Sequence, residues 1–234
     1  MKSYKHYISL GYFCSVAMEL ERIGLRSASY PFDWLITPDM EQIMRMIDTG
    51  FTDFIKEADL RQKEVGSDIF INSSNGFHFV HDFKGSVSLH DQMPEVNDKY
   101  KRRIDRFLTD ICDPTLFVRY IADESRTEEG DIKDLKWTED NLDSIMATLR
   151  SFNTENDIIW IANDGVDSLL IHDIYKVARD NNDSVARRPL DKNESLRVLL
   201  TESYYPDRDK NLEVYRKKQR KKTGIVNRIR SRFK

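Results

Sequence analysis

Two short stretches decide the fold: Leu116-Phe-Val-Arg-Tyr-Ile121 and Asp157-Ile-Ile-Trp-Ile161. Both are rich in β-branched and aromatic residues and almost unbroken in hydrophobicity, as expected of strands buried on both faces. Between them Leu142, Ile145, Met146 and Leu149 recur at helical spacing. A strand, a helix and a second doubly buried strand imply a parallel pair joined by a right-handed crossover. Continuing the alternation gives a helix over 168–178 and a further strand over Leu196–Thr201. The class expected is α/β, with a mainly parallel, three-layer, Rossmann-like sheet. Ligands of such sheets bind beyond the carboxyl ends of the strands.

Toward the N-terminus, Tyr7-Ile-Ser-Leu10 reads as a first strand ending at Gly11, and Ser15–Ile23 as a helix that Gly24 stops. Pro38-Asp39 is placed to cap a second helix carrying Met40, Ile43, Met44 and Ile47 inward. Asp68–Asn72 and Phe77–Phe83 form an added hairpin around Ser73-Ser74-Asn75-Gly76. Tyr100, Ile104, Phe107, Leu108 and Ile111 mark a third helix. No repeat and no Gly/Ser/Pro-rich linker interrupts the chain, so residues 1–209 read as a single α/β domain.

The chain has 234 residues, 39% hydrophobic and 33% charged, which excludes wholesale disorder and a disulfide-stapled miniprotein. No run of about 18 uncharged apolar residues is present, and the N-terminal stretch reads as a strand rather than a leader. Two cysteines, Cys14 and Cys112, suit a reducing, cytoplasmic setting as free thiols. The net charge of −3 conceals an asymmetry: residues 210–234 hold eleven bases and one acid, leaving 26 bases and 39 acids in residues 1–209. Ile225, Val226, Ile229 and Phe233 share one helical face of this basic tail. A basic amphipathic segment favours an anionic membrane surface, which would place the protein peripherally on the inner face of a membrane; a solvated, frayed terminus is the competing reading. Nucleic acid is not expected as a partner, since no basic stripe with interleaved aromatics continues into the domain.

Chemistry concentrates in the N-terminal segment. Cys14 falls between a strand end and a helix start, where the helix dipole lowers a thiol pKa and favours a nucleophile; packing of the junction is the competing role. Gly11 permits a sharp turn and lets backbone N–H groups approach an anion. For the base, period two along Phe77–Phe83 puts His81 with Phe77, Phe79 and Phe83, and puts His78 with Asp82 on the opposite face. Asp82 would then orient His78. Metal ligation by His78 and His81 is not expected, no Gly-rich phosphate fingerprint is present, and no cofactor is implied. Arg102, Arg103, Arg106 and Arg119 could grip a diphosphate, or else form a solvated face paired with Asp105 and Asp110.

The run SLGYFCSVAMELERIGLRSASYPFDWL at 9–35, followed by HDF at 81–83, RRIDRFL and LFVRY, resembles a bacterial family of unknown function labelled papain-like cysteine peptidases. The resemblance spans about residues 5–165. It implies Cys14 as nucleophile and His81 as base, with Asp33 or Asp82 as the orienting acid, acting on a peptide or glycan substrate. Association of such proteins with surface-polysaccharide assembly suggests an alternative, a membrane-peripheral glycosyltransferase taking a nucleotide sugar. A second alternative is a binding module without chemistry.

Overall fold

The runs at 115–121 and 157–163 lie side by side as parallel strands in the middle of a sheet. The computed structural model describes residues 3–168, 170–181 and 183–232, with side chains as far as Lys222. In chain order the elements are β1 (His6–Ser9), α1 (Ser15–Arg22), β2 (Leu35–Ile36), α2 (Met40–Asp48), β3 (Leu60–Gln62), β4 (Phe70–Asn72), β5 (His78–Phe79) and α3 (Leu89–Asp110). They continue with β6 (Thr115–Ile121), α4 (Lys133–Asp140), α5 (Leu142–Phe152), β7 (Asp157–Asn163), β8 (Ile174–Val177), α6 (Glu194–Glu202) and α7 (Arg208–Arg232).

One sheet runs β1-β6-β7-β8 with every neighbour parallel. All seven residues of β6 are buried, so both of its faces are covered. Alternate side chains feed two apolar clusters. Phe117 and Ile121 join Ile8, Ile158 and Trp160 on one face, packed against Ile43, Phe107 and Leu149 from three helices. Leu116, Val118 and Tyr120 join Tyr7, Ile159 and Ile161 on the other, under Val16, Leu20, Leu196 and Leu200. Burying aliphatic and aromatic area on both sides is the main drive for a sheet of this kind.

A second sheet, antiparallel, has the order β2-β5-β4-β3. The expected hairpin is its centre, with Phe70 opposite Phe79 and Ile71 opposite His78. The second strand is shorter than the sequence suggests, because pairing ends at Phe79.

Two expectations are corrected. The helix expected over 168–178 is not present in the described residues of that span: Ile174–Val177 is β8, which pairs with the outer edge of β7, Trp160 opposite Ile174. Unpaired strand groups at that edge favour a β-branched partner over the local helical spacing. Residues 196–201 do not form a strand; they belong to α6. There the Asn193 side chain accepts from Leu196 N–H at 2.9 Å, and Leu196 and Leu200 lie one helical turn apart on the buried face. A short apolar run fits either element until its cap is recognised.

The basic C-terminal segment begins within helix α7, whose first turns rest on α1. Asn211 donates to the Gly24 carbonyl at 3.2 Å, and Lys218 pairs with Glu21 at 2.7 Å. Gly24 has φ +78, and a Cβ there would meet Leu212 Cγ at 2.7 Å and the Arg208 carbonyl at 2.8 Å, so only glycine fits. The side chains of Ile225, Val226, Ile229 and Phe233 lie outside the described residues. Among the described residues no helix is long and apolar enough to cross a membrane.

Candidate functional site

Beyond Ser9 and Ile121 the chain leaves the carboxyl edge of the parallel sheet, and there lies a cavity of about 760 Å³. The segment after β1 builds one wall. Gly11 turns the chain at φ +83, and a Cβ would stand 2.1 Å from Thr37 Oγ1. The sharp turn expected at Gly11 is therefore present. Its N–H, however, donates to Ser9 Oγ at 3.2 Å, so it is not offered to a bound anion.

Cys14 follows as the N-cap residue of α1 and lines the cavity with Phe13, Met18 and Ile36. Burial pushes the Cys14 thiol up, and its own N–H and the nearby Arg187 charge draw it back only partly. The lowered pKa expected from the helix dipole is thus corrected. The thiol sits among apolar side chains at the head of a short helix, and desolvation of a thiolate outweighs the dipole there.

The two-strand register places the histidine. Leu35 pairs with Phe79 and Ile36 with His78 across β2 and β5. Leu35, Phe79 and Phe70 are buried on the core face, leaving Ile36, His78 and Ile71 half-buried on the other. Ile36 and His78 both line the Cys14 cavity. Burial lowers the His78 pKa, and the Lys63 charge beside it adds to the effect, so the ring is neutral at pH 7. A neutral imidazole can accept a proton. The thiol and the ring are not hydrogen-bonded to each other, and catalytic contacts often tighten only around substrate.

The remaining expected residues lie elsewhere. His81 does not share the apolar face of Phe77, Phe79 and Phe83: the chain has left β5, His81 is exposed, and its ring meets Trp34 edge-on at 6.4 Å between centroids. Asp82 does not orient His78. Its carboxylate accepts from Tyr100 at 2.9 Å and pairs with Lys99 at 2.5 Å. Asp33 is wholly buried and accepts from Arg26 Nη2 at 2.6 Å and from Tyr30 N–H at 2.8 Å, so it braces the 26–33 loop.

Nor do the four arginines make a diphosphate grip; none lines the cavity. Arg119 is fully buried, donating to Leu10 O, Thr37 and Asp134, the last at 2.7 Å. Arg103 lies over the Tyr100 ring, Arg106 donates to Ser29 O, and Arg102 is an exposed residue of α3. The diphosphate contacts expected of these arginines under the nucleotide-sugar alternative are therefore not seen at the cavity. Among the described residues no group of three His, Cys, Asp or Glu side chains is placed to hold a metal ion.

Five charged residues of the cavity wall are not among those the sequence singles out: Lys63, Glu124, Asp134, Asp183 and Arg187. They come from four separate segments of the chain, and only Asp183 and Arg187 are near each other in sequence. The Tyr12 hydroxyl donates to Glu124, and Arg187 pairs with Asp183 at 2.6 Å.

A protein of Acanthamoeba polyphaga mimivirus, itself uncharacterized, is 27% identical over 204 residues, covering 75% of this chain and 89% of its own. This relative is viral, whereas the resemblance suggested a bacterial family. No solved structure matches the chain. Residues 5–162, which carry β1, Cys14, His78 and β6, match the family described as "Putative papain-like cysteine peptidase", and the chain belongs to that family.

Proposed function

We propose that this chain is a thiol-dependent hydrolase of the peptidase type, with Cys14 as nucleophile and His78 as base. The reading is carried by one observation: Cys14 and His78 line the same cavity at the carboxyl edge of the parallel sheet, and burial lowers the His78 pKa. His78 takes the Sγ proton as Cys14 Sγ bonds to the substrate carbonyl carbon. Collapse breaks the carbon–nitrogen bond, and His78 returns the proton to the leaving amine. Water, activated by the same ring, then cleaves the thioester and regenerates the thiol. His78 replaces His81 in this role because His81 is not on the cavity wall. The two apolar clusters flanking the parallel sheet support the finer fold reading of three layers, Rossmann-like in layout.

The test is hydrolysis of a panel of fluorogenic peptides and thioesters. Cys14→Ser should abolish turnover and His78→Gln should lower it about 100-fold or more, the usual range for a general base. His81→Gln should leave it unchanged. Full activity in Cys14→Ser would overturn the reading.

We also propose that α7 holds the protein at an anionic lipid surface. Arg216, Arg220, Lys221 and Lys222 are exposed on a helix whose first turns are fixed to α1. Each base near such a surface contributes about 1 kcal/mol.

A further inference from the structure

The charges around the Cys14 cavity do not all find partners within the protein. Of those on its wall, Asp134 is neutralised by Arg119 at 2.7 Å, and Asp183 and Arg187 neutralise each other. Two remain. Lys63 is exposed, lies close enough to His78 to lower its pKa, and has no ion-pair partner among the described residues. Glu124 is exposed and receives only the Tyr12 hydroxyl; no cation among the described residues pairs with it. The same cavity is also lined by the apolar side chains of Phe13, Met18, Ile36 and Val185.

We propose that the cavity takes a small zwitterionic substrate, a dipeptide or short free peptide, with its carboxylate at Lys63 and its ammonium at Glu124. This rests on the hydrolase reading of the same site. A cavity of about 760 Å³ has room for a few residues but not for a folded protein, and it lies within the size range of small-molecule sites. Apolar side chains of the substrate would cover the Phe13, Met18 and Ile36 wall. The terminal charges would fix which carbonyl faces Cys14. A blocked terminus would leave either Lys63 or Glu124 without its partner.

The experiment is isothermal titration of the full-length Cys14→Ser protein, in which binding is read without chemistry. The probes are Leu-Leu, N-acetyl-Leu-Leu and Leu-Leu amide. Leu-Leu should bind about fivefold tighter than either blocked form, the upper range for an exposed ion pair at each end. Glu124→Gln should erase the preference over the acetylated form alone, and Lys63→Met the preference over the amide alone. Equal binding of all three probes, or a preference that survives both substitutions, would overturn the proposal. Zwitterion-selective binding combined with no turnover by the wild-type protein would support this site and contradict the hydrolase reading.

Discussion

Arg119 and Asp134 are both buried, and each serves the chain at two places. The guanidinium reaches Leu10 O, just before the Gly11 turn, and Thr37 O from a distant segment, while the second Asp134 oxygen accepts from Met40 N–H at 2.6 Å. The α2 N-terminus is therefore capped by a residue of α4, and Asp39, the expected cap, makes no such bond. Burial would push the Asp134 carboxyl up, but Arg119 and the Met40 N–H favour the charged form. Asp134→Ala leaves a buried cation unpaired, and urea unfolding should show a loss of about 3–5 kcal/mol. Arg119→Met with Asp134→Leu should recover part of that loss. His78 gives a pH prediction. Its folded pKa lies below that of a free histidine, so its contribution to stability is present above the unfolded value and lost as pH falls through the folded one. His78→Gln should therefore lose less melting temperature than wild type between pH 7 and pH 5.

At the scale of elements, Asn193→Ala removes the cap of α6 and should cost about 1 kcal/mol in thermal or denaturant unfolding, since the helix packs Leu196 and Leu200 into the second cluster. The same helix shows what the sequence could and could not tell. β6, β7, α1, α2 and the hairpin are legible, because burial on both faces gives a strand an unbroken apolar run, and burial on one face imposes a period of 2 or 3.6. α6 and β8 are not: a short apolar run satisfies either period, and the Asn193 cap decides for the helix while the open edge of β7 decides for the strand. The site divides in the same way. Cys14 stands out from its place between strand and helix. His78 and His81 could not be separated until the hairpin was seen to end at Phe79, which turns His81 outward. Lys63 and Glu124 carry no local signal at all.

For the whole molecule, an acidic domain and a basic helix make opposite contributions at a charged surface. The full chain should sediment with phosphatidylglycerol vesicles at low salt and release as salt rises, because screening shortens the attraction. A chain ending at Asp209 should stay in solution; equal sedimentation of both would remove α7 from membrane binding. The central claim is that the Cys14 thiol and the His78 ring, brought to one cavity by two different sheets, act together. The direct measurement is the rate of iodoacetamide alkylation of Cys14 against pH, in a Cys112→Ser background, with and without His78→Gln. Because burial holds the thiol above the ordinary cysteine value, the account predicts slowing of about tenfold at pH 7 when the base is removed. The two profiles should converge once pH exceeds the thiol pKa. Superimposable profiles at every pH would contradict it.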